Sequence, residues 1–113
     1  MSAKYNLTLD QATTFNFQFQ IKNDSNPWDL TNYTATMTVR PFVGASTTTL
    51  VASTTNGYIT LDGLNGRVTV TVPASVTEPI AVGRYSYDLV LDSGTVVTRI
   101  LEGKLAVTGA VTL

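Results

Sequence analysis

The side chains best suited to acid–base work in this sequence are its eight carboxylates. A glycosidase-type pair needs two of them converging on one cleft. No spacing marks such a pair. Asp88 is expected to face Arg99 across two strands, and Glu102 to sit as a strand-face charge near Lys104. A second cluster, Asn23-Asp24-Ser25-Asn26 with Asp29, gathers oxygen ligands of the kind calcium takes. It lacks the Gly turn and closing Glu of an EF-hand loop, and the same residues build ordinary hairpin loops. Trp28, Tyr33, Phe42 and Tyr58 could form a stacking platform for sugars. Trp28 follows a turn, so it either plugs the end of a core or anchors a protein partner at a loop rim. Gly63 and Gly66 make no phosphate loop, because no G-x-x-x-x-G-K-[ST] is present and no helix follows.

Composition removes whole classes of chemistry. There is no cysteine and no histidine. Disulfides, Cys/His zinc sites, and Ser-His-Asp or Cys-His catalysis are therefore excluded. The net charge is −1. No basic excess exists to neutralise a nucleic-acid backbone, and no polybasic stretch to hold a membrane surface. No run approaches the roughly 20 apolar residues a bilayer span needs. The N-terminus has one charge and no apolar run, unlike a signal peptide. The expectation is a soluble chain made in a cytoplasm, with no cofactor, no metal and no enzymatic activity. Without a secretory signal, the N-x-S/T triplets at Asn6, Asn23 and Asn32 read as chance.

Any such residue must be positioned by strands. Phe15, Phe17, Phe19 and Ile21 alternate with Asn16, Gln18, Gln20 and Lys22. Tyr33, Ala35, Met37 and Val39 repeat the period, as do Val68, Val70 and Val72, then Tyr85, Tyr87, Leu89 and Leu91. A period of two means one face buried and one face wet. Only 13% of residues are charged, so Thr and other neutral groups supply the wet face. Asn56-Gly57 predicts a two-residue hairpin joining 50–55 to 58–61. Asp62–Gly66 leads into 67–72, Pro73 ends that strand, and residues 75–80 suit one helical turn. Ser93-Gly94 predicts a second two-residue hairpin. It would pair Asp88 with Arg99 and put Tyr87, Leu89 and Leu91 on the core face, with a bulge near Glu102-Gly103 to restore phase. The fold expected is all-β. It is one immunoglobulin-like antiparallel sandwich over residues 1–113, with about seven to eight strands. Residues 5–9 suit an edge strand, and 1–9 and 108–113 suit assembly arms.

The strand string also resembles small bacteriophage virion proteins of the cyanophage type. More distantly, it is similar to the N-terminal domain of the siphophage upper baseplate protein. The residues that carry this are Tyr5-Asn6-Leu7, the Thr14–Ile21 alternation, Asp29-Leu30-Thr31-Asn32-Tyr33, Met37-Thr38-Val39-Arg40-Pro41 and Ile59-Thr60-Leu61. Gly83-Arg84-Tyr85-Ser86-Tyr87-Asp88-Leu89 and Thr98-Arg99-Ile100-Leu101-Glu102-Gly103-Lys104 complete them. The resemblance implies a non-enzymatic structural part present in many copies on a virion assembled in a bacterial cytoplasm. Its partners would be other virion proteins, namely major capsid or tail and baseplate proteins, or further copies of itself. With the chain ending at Leu113, the expectation is a capsid decoration (cement) protein or a small tail or baseplate component. The alternative is a carbohydrate-binding module that aids adhesion to a host surface. Candidate partner contacts are Tyr5 and Leu7 at the start, Trp28 and Phe42 at loop rims, and Val111 and Leu113 at the end.

Overall fold

Alternating apolar and polar residues build two facing sheets in the computed structural model, which describes residues 3–23 and 26–109. The strands are β1 (Ala3–Lys4), β2 (Leu7–Asp10), β3 (Phe15–Gln20), β4 (Lys22–Asn23), β5 (Asn26–Pro27), β6 (Thr34–Arg40), β7 (Leu50–Ser53), β8 (Ile59–Asp62), β9 (Arg67–Val72), β10 (Gly83–Asp92) and β11 (Val97–Thr108). One short helix, α1 (Ala74–Thr77), lies between β9 and β10. The larger sheet runs β1-β11-β10-β6-β7, with β2 also paired to β11. The smaller sheet runs β3-β9-β8, and β4 and β5 form a small hairpin of their own.

This is the strand order of an immunoglobulin-like sandwich, in which β3, β9 and β8 oppose β11, β10, β6 and β7. Two inner faces meet in one core. Leu9, Met37, Leu89, Leu91 and Leu105 come from the larger sheet, and Val68, Val70 and Val72 from the smaller. Each is at most 1% exposed. Burying one such aliphatic side chain is worth about 1.5–3 kcal/mol, so these rows are what hold the sheets face to face.

The opening segment joins the larger sheet parallel to β11, with Ala3 beside Leu101 and Leu7 beside Leu105. Between β1 and β2 the chain crosses Gly103. A Cβ on Gly103 would fall on the Tyr5 carbonyl oxygen. That residue was expected to mark a bulge, and it marks a close backbone approach instead. The bulge lies elsewhere. The β10–β11 register shifts between Leu89 and Val90, and Ile100 is left unmatched.

The two expected hairpins are corrected. The β10–β11 loop has four residues, because Asp92 pairs with Val97. Its turn is closed by Ser93 N–H to the Val96 carbonyl (3.0 Å) and Gly94 N–H to Asp92 Oδ1 (2.7 Å). The Asn56-Gly57 turn joins no hairpin. β7 pairs with β6 in the larger sheet, while β8 pairs with β9 in the smaller. The turn carries the chain from one sheet to the other, and Asn56 Oδ1 holds it by accepting from the Ser53 and Tyr58 amides.

The β9–β10 corner is locked by three side chains. Thr77, fully buried, donates its hydroxyl to the Thr13 carbonyl at 2.7 Å. Gln11 Nε2 donates to the Ile80 carbonyl at 2.8 Å. Tyr85, early in β10, donates to the Ala81 carbonyl at 2.6 Å. The last contact is the tyrosine corner of immunoglobulin-like sandwiches.

Candidate functional site

At one end of the sandwich the β3–β6 connection meets the β8–β9 loop. Backbone bonds tie them together: Ile21 N–H to Gly66 O at 2.7 Å, and Leu30 N–H to Gly63 O at 2.7 Å. Gly66 has φ +63, and a Cβ there would come within 2.6 Å of the Trp28 carbonyl oxygen. Only glycine suits both demands. The Trp28 ring meets Tyr33 edge-on at 6.1 Å, and both rings pack half-buried against the core. Trp28 thus closes the core end while keeping part of its surface at the rim.

An open depression of about 340 Å³ lies beside them, lined by residues 30–33 and 61–64. Its neighbouring carboxylates are engaged locally. Asp29 accepts from the Thr31 hydroxyl at 2.5 Å and the Thr31 amide at 2.9 Å. Both bonds favour the ionised form, so its pKa is lowered below the ordinary value. Asp62 accepts from Asn65 Nδ2 at 2.9 Å. These acids stabilise turns by binding backbone and amide donors. Residues 24 and 25 of the oxygen-rich loop lie outside the described residues.

The sugar platform drawn from sequence is not assembled. Trp28 and Tyr33 come together. Tyr58 lies half-buried just before β8, and Phe42 follows β6 on the larger sheet.

On the outer face of the larger sheet, the loop after β6 folds back over the strands. Arg40 Nη1 donates to the carbonyls of Ala45 (2.9 Å) and Thr47 (3.4 Å), which pins that loop. Phe42 and Val43 stand out of it, 63% and 82% exposed. Together with Arg40, Ser86, Asp88 and Arg99 they border a shallow depression of about 180 Å³.

Asp88 and Arg99 do form an ion pair, Nε to Oδ2 at 3.2 Å, but not by the register expected. Asp88 lies opposite Glu102, and Arg99 lies opposite Val90. The four-residue loop places Arg99 opposite Val90, and from this diagonal position it reaches Asp88 at 3.2 Å and Glu102 at 4.0 Å. It offsets the repulsion of two carboxylates placed directly across from each other.

The remaining expected contacts divide. Tyr5 is 54% exposed at the seam between the sheets. Leu7, at 7% exposed, belongs to the core and offers no side chain to a partner. Val111 and Leu113 lie outside the described residues. Sequence reasoning overlooked the aromatic row in which Tyr5 stacks on Phe17 at 5.8 Å and Phe17 meets Phe19 at 5.3 Å. The alternation gave Phe17 and Phe19 as inward-facing, but not that their strand would lie at a sheet edge.

No protein-family model matches the chain, and no curated protein matches it.

Proposed function

We propose that this chain is a non-enzymatic structural protein of a bacteriophage virion, a capsid decoration protein or small tail or baseplate component that binds other virion proteins. The observation that carries this reading is the pair Phe42 and Val43, held out over a sheet face by a loop that Arg40 pins. A large apolar side chain presented on a braced loop suits burial in a protein partner. The outer face of the smaller sheet supports the same reading. Asn16, Gln18, Thr60, Thr69 and Thr71 cover it, with charge confined to the Asp62–Arg67 pair beside the loop. Neutral amides and hydroxyls are desolvated at far lower cost than charges. The sequence resemblance supplies the class of assembly.

The test is mass spectrometry of gradient-purified, salt-washed particles. The chain is expected at a fixed ratio to the major structural proteins. A Phe42→Ala, Val43→Asp double variant is expected to fold normally and to be depleted from particles. Recovery of the wild-type chain only from the soluble fraction of infected cells overturns the reading.

A further inference from the structure

We propose that β3 is the contact edge of a two-fold dimer of this chain. Two β3 strands pair antiparallel, with the axis passing beside Gln18.

The first support is position. β3 ends the smaller sheet and pairs with β9 alone among the described residues. Its outer edge therefore carries backbone groups with no strand beside them. Two backbone bonds fix which groups these are. Thr71 N–H points to Tyr58 O in the β8 direction, and Ile21 N–H points to Gly66 O in the β9 direction. Antiparallel strands alternate the direction of their bonds. The backbones of Phe15, Phe17 and Phe19 thus face β9, and those of Asn16, Gln18 and Gln20 face outward.

The second support is what this edge lacks. Exposed edges are commonly blunted by charge, Pro, a bulge or shortness. β1 and β2 carry Lys4 and Asp10, and β8 carries Asp62. β7 is uncharged but has four residues. β3 has six, Phe-Asn-Phe-Gln-Phe-Gln, with no charge and no Pro. A regular six-residue ladder is left without any of these devices.

The third support is the seam behind it. Phe17 and Phe19 point inward yet remain half-buried, because no strand among the described residues continues the sheet past β3. Tyr5 covers Phe17 only partly and is itself 54% exposed. A strand added at this edge extends the inner face and closes the row.

The occupant follows from the sequence of the edge, which is its own complement under a two-fold. With Gln18 opposite its counterpart, Asn16 faces Gln20 and Phe17 faces Phe19. The outward-pointing backbones then form the bonded pairs. Aromatics meet aromatics on the inner side and amides meet amides on the outer side, both favourable cross-strand pairs. No like charges are opposed. An isologous contact needs this self-complementarity, whereas no charge on this edge selects a foreign strand.

The dimer stands apart from the virion reading, and sedimentation of the purified full chain tests it. A concentration-dependent dimer is expected, with amide exchange at Gln18 slowing as the dimer forms. Gln18→Lys places two cations together on the axis and is expected to weaken dimerisation at least about tenfold. Gln18→Pro removes the outward N–H and is expected to do the same, with an unchanged circular dichroism spectrum for either variant confirming the fold. Thr60→Lys on the opposite edge strand is the control and is expected to leave the dimer intact. A wild-type chain that stays monomeric up to about 1 mM overturns the inference, as does a dimer that survives both Gln18 variants. Neither result touches the presence of the chain in particles.

Discussion

The Tyr87 hydroxyl donates to the Tyr5 carbonyl oxygen at 2.5 Å, joining residues 82 positions apart. The bond crosses from β10 to the bend between β1 and β2, just where Gly103 lets that bend approach β11. Tyr5 N–H is held from the same side by the Glu102 carbonyl at 2.9 Å. The opening segment is therefore fastened by its backbone, which leaves the Tyr5 ring free to lie over Phe17.

Replacing Tyr87 with Phe removes the donor and leaves the Tyr5 carbonyl without it. The expected loss is about 1–2 kcal/mol in urea unfolding at neutral pH. Burial pushes the Tyr87 pKa up to about 12 from 10.0, and the nearby Tyr5 adds to the rise. The fold favours the neutral hydroxyl. Its contribution is therefore whole below pH 10.0 and fades as pH rises through about 12. The wild-type advantage over Tyr87→Phe is expected to be flat up to the lower value and to shrink beyond it. An advantage that grows with alkalinity would show that this bond has been misread.

Gly103→Ala attacks the same junction from the other side. The neighbour in the way is a backbone oxygen, not the flexible end of a side chain. The strand cannot yield locally, so β1 must leave its place. Overpacking of this kind costs about 1–3 kcal/mol. Amide exchange at Tyr5 is expected to accelerate before global unfolding. Unchanged protection at Tyr5 would mean the approach is looser than described.

The Thr77 hydroxyl is buried with the Thr13 carbonyl as its partner. Thr77→Val keeps the shape and deletes the bond, so the Thr13 carbonyl loses its donor. The expected cost is about 1–2 kcal/mol. Thr77→Ser keeps the hydroxyl and is expected to recover most of the hydrogen-bond contribution, losing only a methyl contact. Equal losses in the two variants would assign the effect to packing alone.

How much of this was legible beforehand follows from what each signal encodes. The inward rows Ala35-Met37-Val39, Val68-Val70-Val72 and Leu89-Leu91 were readable because a period of two is local. Registers were not. The Ser93-Gly94 signal fitted a two-residue loop, but Asp92 and Ser93 side chains stabilise a four-residue one. The longer loop puts Arg99 opposite Val90 rather than Asp88, and the bulge at Ile100 then brings Glu102 opposite Asp88. Side-chain reach restored the ion pair that register denied it. Asn56-Gly57 marks a turn correctly, yet a turn signal does not say whether the next strand stays in the same sheet. Tyr85 and Tyr87 were read as one alternating pair, while their hydroxyls tie down different parts of the chain. The Gly-x-Tyr-x-Tyr pattern could have signalled the tyrosine corner. Nothing local could have placed β3 at an edge, because that depends on where β1 and β2 go.

Trp28 and Phe42 were both candidates for partner contact, and their surroundings separate them. Trp28 is wedged against the core, with Tyr33 edge-on at 6.1 Å and Gly66 pressed to its backbone. Trp28→Ala leaves a hole at the end of the sandwich. Full burial would put the loss at about 3–5 kcal/mol, and a half-buried ring lowers that to about 2–3 kcal/mol. Phe42 is 63% exposed on a loop that Arg40 holds through carbonyls rather than through the ring. Phe42→Ala is expected to leave unfolding within about 0.5 kcal/mol of wild type. The two variants should therefore diverge, with Trp28→Ala lowering the melting temperature and Phe42→Ala reducing capture by particles. Sugar binding at the Trp28 rim predicts a different outcome, in which a glycan-array signal vanishes in Trp28→Ala while its stability is unchanged.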